Sequence, residues 1–251
     1  MEQITSRTNP LITRFRKLGA DRKLRRKEGV MVCEGPKMLA EALAWGFVPE
    51  TALVTEAMDL PPETRAVLVP EDLLRSVAPT QTPQKVLFLA PLPQAAPPAV
   101  LPGRRYLVLD GLQDPGNLGT LWRTADAFAA DGLLLLPGCA DPWSPKTLRA
   151  TMGACFRLSL WETSLPDALA LLDRSGLPLC ATALRDDTLD LRDLEPGRWA
   201  VAIGSEGRGV SQGVLDACAV TVKIPMAERC ESLNAAVAGA VALWELARGE
   251  M

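Results

Sequence analysis

From residue 104 onward, short and nearly continuous apolar runs alternate with stretches of helical periodicity, and this alternation limits the fold more than any other feature. The runs are Tyr106–Asp110, Gly132–Leu136, Leu158–Trp161, Leu179–Ala183, Trp199–Ile203 and Val220–Ile224. Between them the spacing predicts helices at Leu118–Ala129, Pro145–Gly153, Pro166–Arg174, Gln212–Ala217 and Leu233–Arg248. Strands apolar along their whole length need cover on both faces, which points to a parallel sheet flanked by helices. In such sheets the ligand site forms beyond the carboxyl ends of the strands. Residues directly after strands are therefore the functional candidates.

The front of the chain reads as a smaller α/β unit. Asn9-Pro10 opens a turn, and Leu11, Phe15 and Leu18 give the stretch Leu11 to Lys27 one apolar face among basic residues. Strands are expected at Val30–Cys33, Val67–Val69 and Val86–Leu89, with a helix at Pro36–Trp45. Five prolines within Pro91–Gly103 predict a stiff, extended connector. The expected division is thus a first domain over 1–98, a linker at 99–103 and a second domain over 104–251. Charge divides the same way. Residues 1–37 hold ten Lys/Arg against four acids, whereas the remainder holds 17 against 26. A head of +6 on a body of −9 suits a polyanionic partner, and it equally suits a solvated helix face.

The chain contains no histidine. That removes the Ser-His-Asp triad, the Cys-His pair and every histidine metal motif. The six cysteines never form C-x-x-C, so they read as reduced thiols of a cytoplasmic protein, and no metal site is expected. No leader and no membrane-spanning run of about 18 apolar residues is visible.

Three motifs follow three of the strands. After Tyr106–Asp110 comes Pro115-Gly-Asn117-Leu-Gly119-Thr-Leu-Trp-Arg123-Thr-Ala125, with Asn117 placed to cap a helix and Arg123 off its apolar face. After Trp199–Ile203 comes Gly204-Ser-Glu206-Gly-Arg-Gly209, a turn in which glycines allow backbone groups to meet a ligand. After Val220–Ile224 comes Ile224-Pro-Met226 and then Ser232-Leu-Asn234, where Ser232 is expected to cap an alanine-rich helix. Each motif alone also fits a capped surface helix, a tight turn or an ordinary C-terminal helix. Neither G-x-G-x-x-G nor a phosphate-loop sequence is present.

In order and each after a strand, the three motifs resemble those of the SpoU (TrmH) family of RNA ribose 2′-O-methyltransferases, within the SPOUT superfamily. Ile4–Ile12, the basic helix after it and the Glu34-Gly35 turn are similar to that family's N-terminal RNA substrate-binding extension. The resemblance implies a Rossmann-like parallel sheet ending in a deep trefoil knot, preceded by a small α/β RNA-binding domain. It implies S-adenosylmethionine as cofactor and a homodimer as the working form. Carried over residue by residue, it places Gly204, Ile224, Met226 and Leu233 around the cofactor. Asn117, Arg123, Glu206, Ser232 and Asn234 become the catalytic cluster, with Arg123 either the base for the 2′-hydroxyl or a clamp on a neighbouring phosphate. Arg7, Lys17, Arg22, Lys23, Arg25 and Arg26 are the expected phosphate contacts. The implied activity is 2′-O-methylation of structured RNA, with 23S ribosomal RNA ahead of tRNA and a catalytically inactive assembly factor as the rival. Glu228 departs from the family's usual Gly.

Overall fold

The computed structural model describes residues 2–248 apart from 81, 94, 95, 186, 196, 228 and 231, so Glu228 lies outside the described residues. The chain forms two compact units. One comprises Met1–Gln94 together with Asp141–Arg157, the other Ala95–Ala140 together with Leu158–Met251.

The first unit runs β1 (Glu2–Gln3), α1 (Pro10–Ala20), α2 (Arg22–Glu28), β2 (Val30–Glu34), α3 (Pro36–Ala44), β3 (Thr51–Val54), β4 (Arg65–Leu68), α4 (Glu71–Arg75) and β5 (Val86–Pro91). Its five strands lie in the order β1-β4-β3-β5-β2, with β5 antiparallel to both neighbours. Ile12, Phe15 and Leu18 of α1 share a core with Val30, Val32, Leu53, Val67, Leu87 and Leu89 of the sheet. Asn9 accepts the Leu11 amide and Pro10 opens α1, an N-cap followed by the residue whose fixed φ suits a first helical position.

The basic stretch expected as one helix is two. Asp21 is extended (φ −107°, ψ 108°), and its carboxylate accepts the amides of Lys23 (2.8 Å) and Leu24 (3.1 Å). It ends α1 and caps α2. The break redirects Arg25, which is 3% exposed rather than solvated. Its guanidinium donates to the carbonyls of Leu18 (2.5 Å) and Gly19 (3.2 Å), which the end of α1 leaves unpaired, and to Asp141 (2.5 Å). Arg25 is therefore a structural residue and not an RNA contact. Strand β3, wholly buried, and helix α4 were not anticipated; four or five residues are too few for periodicity to register.

The second unit begins with β6 (Arg105–Asp110), α5 (Pro115–Ala127) and β7 (Gly132–Leu135). Then α6 (Pro145–Thr151) and α7 (Ala154–Arg157) belong to the first unit. The chain resumes with β8 (Leu160–Glu162), α8 (Leu165–Arg174), β9 (Leu179–Thr182), β10 (Leu189–Asp190), β11 (Trp199–Gly204), α9 (Gln212–Ala217), β12 (Val220–Lys223) and α10 (Ala235–Ala247). Seven strands in the order β10-β12-β9-β11-β6-β7-β8 pair in parallel throughout. The expected all-parallel sheet is what the apolar runs build. On one face Tyr106, Val108, Leu134, Ala181, Ala200 and Ala202 meet Leu171 and Leu172 of α8 and Val214 of α9. Helix α10 packs on α5 and β11. A Cβ at Gly239 of α10 would stand 2.2 Å from Leu121 Cδ2, so that approach is very close.

Two features differ from the expected domain plan. Asp141–Arg157 falls inside the expected second domain yet belongs to the first unit, because Thr147, Leu148, Thr151 and Phe156 are buried there. Helix α6 lies on β2, the Phe156 and Phe47 rings are 5.1 Å apart, and Arg157 pairs with Glu41. The linker is also less free than its prolines suggest. Leu101 is buried, its amide donates to Ser175 Oγ (2.8 Å), and Arg174 donates to the Ala99 carbonyl (3.3 Å).

Arg25→Ala would take the buried guanidinium from Asp141 Oδ2 and from two carbonyls, leaving the Asp141 carboxylate only the Trp143 amide at 3.2 Å and the more distant Arg22 among the contacts described. We expect it to lower the free energy of unfolding by roughly 3–5 kcal/mol, read by urea denaturation. A loss below about 1 kcal/mol, as at ordinary surface positions, would contradict this assignment.

Candidate active site

The site is built at the carboxyl ends of β6, β11 and β12. After β6, Asp114 rather than Asn117 caps α5: its Oδ1 accepts the Asn117 amide at 2.9 Å, and Pro115 starts the helix. Gly116 and Gly119 thus lie in the helix, and Asn117 sits in its first turn. After β11, Ser205 and Gly209 exchange backbone hydrogen bonds of 3.0 and 2.8 Å and close a tight hairpin with Glu206 in its turn. A Cβ on Gly204 would stand 2.0 Å from the Gly209 carbonyl carbon and 2.2 Å from the Val210 nitrogen. Only glycine lets the hairpin fold back so closely. Asp110, ending β6, accepts the Ser211 amide at 2.7 Å and so fixes the far side of that hairpin. After β12, the cap of α10 is Asn234 and not Ser232. Its Oδ1 accepts the amides of Ala236 (2.9 Å) and Val237 (3.3 Å).

These loops meet through side-chain amides. Asn234 Nδ2 donates to Asn117 Oδ1 at 3.1 Å, and Asn117 Nδ2 donates to Glu206 Oε1. Three of the five expected catalytic residues form one directional chain, running from the positive end of α10 to a carboxylate. Arg123 is exposed on α5 and makes no hydrogen bond or ion pair among the described residues. Ser232 takes no part in the chain and lines an adjoining cavity.

That cavity has a volume of ≈ 300 Å³. All four residues expected around the cofactor, Gly204, Ile224, Met226 and Leu233, line it together with Glu206 and Ser232. Glu206 therefore belongs both to the amide chain and to the cavity. Sequence reasoning missed Thr182 at the end of β9, Ala183 and Leu184 just after it, and Lys223 at the end of β12. The expectation of a parallel sheet already put the carboxyl end of this strand on the ligand edge, and the structure sets β9 between β11 and β12. Cys139, in the loop after β7, ties that loop to β6, accepting the Leu112 amide and donating to the Leu109 carbonyl, both at 3.2 Å. Burial pushes it up to about 11, so it is no nucleophile. Of the expected RNA contacts, Arg7, Lys17, Arg22, Lys23 and Arg26 are exposed on the first unit. Arg7 pairs with Asp72 at 3.1 Å, and Arg22 stands 3.7 Å from Asp141.

Residues 104–244, which carry all three loops, match the SpoU rRNA Methylase family. The chain belongs to that family. Residues 9–88 match an MRM3-like substrate binding domain. This SpoU methylase is 31% identical to RlmP of Bacillus subtilis, a 23S rRNA (guanosine(2553)-2′-O)-methyltransferase, over 98% of its own length and 99% of the relative's. Its structure is similar to that of an AdoMet-bound rRNA methyltransferase from Sinorhizobium meliloti (TM-score 0.92, 28% identity, 100% and 98% of the two chains). It is also similar to the SpoU methyltransferase AviRb from Streptomyces viridochromogenes in complex with the cofactor AdoMet (TM-score 0.84, 26% identity, 96% and 98%).

In this SpoU methylase Gly204→Ala forces backbone against backbone. We expect it to cost about 1–3 kcal/mol, the range of overpacked sites, measured by chemical denaturation. A variant as stable as the parent would show that the hairpin is not held as described.

Proposed function

We propose that this protein transfers the methyl group of S-adenosylmethionine to a ribose 2′-hydroxyl of ribosomal RNA, with 23S rRNA as the substrate. The observation that carries the reading is the Asn234–Asn117–Glu206 chain at the rim of the cavity lined by Gly204, Ile224, Met226 and Leu233. The identity to a 23S rRNA 2′-O-methyltransferase over nearly the whole chain supports the choice of RNA.

The residues present fit an adenosine-bearing cofactor. Ile203, Val222, Ile224, Met226, Leu233, Ala235 and Ala238 give the cavity apolar walls for a flat base, while Thr182, Ser205, Glu206 and Ser232 put hydroxyls and a carboxylate on them for ribose. When bound, the cofactor supplies a methyl group on a sulfonium, a leaving group that needs no further activation. The protein's task is then alignment of the hydroxyl and care of one proton. Alignment alone supplies on the order of 7–11 kcal/mol at best. A guanidinium keeps its proton in proteins, so Arg123 acts as the clamp: it holds the phosphate beside the target ribose and stabilises negative charge growing on the 2′-oxygen, whose proton leaves to that phosphate or to water. Its lack of a carboxylate partner among the described residues leaves it available for that phosphate. The amide chain holds Glu206 and the first turns of α5 and α10 in fixed register around the reacting hydroxyl.

The same reading makes the C-terminal segment the family's trefoil knot. It is supported by β12 lying inside the sheet, between β9 and β10, and by the close seat of Gly239 on Leu121. It also makes the protein a homodimer. Val237, Val241 and Trp244 recur along one side of α10 and are 37–56% exposed, an apolar stripe that a second copy would cover. The first unit is the RNA-binding part, with Lys17, Arg22, Lys23 and Arg26 as phosphate contacts.

Arg123→Ala is expected to reduce methyl transfer by about 10²–10³-fold or more, as when a preorganised charge donor is removed. Calorimetry should show S-adenosylmethionine still binding. Near-normal turnover by the variant would overturn the assignment of Arg123, and failure of the unaltered protein to bind S-adenosylmethionine would overturn the reading.

A further inference from the structure

Among the ionic residues of the first unit, several arginines are already neutralised. Arg7 pairs with Asp72, Arg14 with Glu28 and Glu50, Arg65 with Glu2, and Arg157 with Glu41. Arg16, Lys17, Lys23 and Lys27 on α1 and α2 are exposed and carry no carboxylate among the described residues. Arg149 is in the same state, but it lies on α6, in the segment 141–157 whose sequence runs between two strands of the other unit. The substrate-binding match ends at residue 88 and does not reach this segment.

The attachment of the segment sets where Arg149 stands. Asp141 is held by Arg25 at 2.5 Å and approached by Arg22 at 3.7 Å, so the segment begins against α2. The first turn of α6 folds back on the same residue: Thr147 Oγ1 donates to the Asp141 carbonyl at 2.8 Å, and the Ser144 amide does so at 3.2 Å. Thr147, Leu148 and Thr151 face inward, and Lys146 and Arg149 face out. Arg25 Nε is buried with no hydrogen-bond partner among the described residues, a cost that well-packed apolar side chains would not carry. That cost is consistent with a contact kept for register rather than for stability.

We infer that Asp141–Arg157 is part of the RNA-binding surface, with Arg149 a phosphate contact added to those of α2 in the same unit and Asp141 the residue that ties the segment to α2. The inference rests on the proposed RNA methyltransferase function. Its consequence is that the connection between β7 and β8 carries substrate contacts as well as joining strands.

The test uses the full-length protein and protein-free 23S rRNA transcripts. Arg149→Glu should raise the Kd for RNA about tenfold and raise the KM of methyl transfer in parallel. The maximal rate at saturating RNA should stay within about twofold, and calorimetric affinity for S-adenosylmethionine should not change. Arg149→Ala should lower the slope of log Kd against log salt by roughly 0.7–0.9, the loss of one phosphate contact. Lys17→Glu serves as the comparison for the α1–α2 face. If Lys17→Glu weakens RNA binding and Arg149→Glu does not, the inference fails while the function stands. If the unaltered protein neither binds nor methylates the RNA, the proposed function fails with it.

Discussion

Asn117 uses both ends of its side-chain amide, donating to Glu206 and accepting from Asn234, and so joins loops that leave three different strands. Each partner is fixed independently. Glu206 sits in a hairpin that Gly204 alone allows to close, and Asn234 is committed through its oxygen to the first turn of α10. Because an amide donates at one end and accepts at the other, the chain has one satisfied direction. The cavity beside it takes its shape from the same loops, which is why Glu206 lines both.

Parallel pairing brings this about without long-range side-chain contacts in the sheet. All strands of the second unit point the same way, so their carboxyl ends and the loops after them share one edge. The most central of them, β6 and β11, pair over six residues from Arg105 to Asp110 and Trp199 to Gly204. Glu206, Asn117 and Asn234 meet there, two, seven and eleven residues beyond the ends of β11, β6 and β12. Charge follows a different rule. In the first unit carboxylates neutralise Arg7, Arg14, Arg65 and Arg157, whereas Arg16, Lys17, Lys23, Lys27 and Arg149 are exposed and have no carboxylate partner among the described residues.

Much of this was legible in the sequence, for physical reasons that differ by region. Apolar runs such as Trp199–Ile203 are buried on both faces, and their composition alone gives a central parallel strand. That Asn117, Glu206 and Asn234 would gather at one edge was legible because their motifs follow strands of one parallel sheet. Details that depend on one hydrogen bond were not. Whether Asp114 or Asn117 caps α5, and whether Ser232 or Asn234 caps α10, turns on backbone angles that neighbouring residues of the same capping type share. Arg25 illustrates a stronger limit. Within a basic run it is indistinguishable from Lys23 or Arg26, and only the break at Asp21 turns it inward toward Leu18, Gly19 and Asp141. The placement of Asp141–Arg157 was hidden for a similar reason. Its helical pattern is that of any helix between strands, and what decides its unit is the burial of Thr147, Leu148 and Phe156.

The account makes ribose the methyl acceptor, and nucleoside analysis addresses that directly. Purified protein is incubated with protein-free 23S rRNA and S-adenosylmethionine labelled in its methyl group, and the RNA is digested to nucleosides and resolved by mass spectrometry. The label is predicted to appear in a 2′-O-methylnucleoside, with the added mass on the sugar fragment. Label on a base fragment, or none in the RNA at all, would contradict the account.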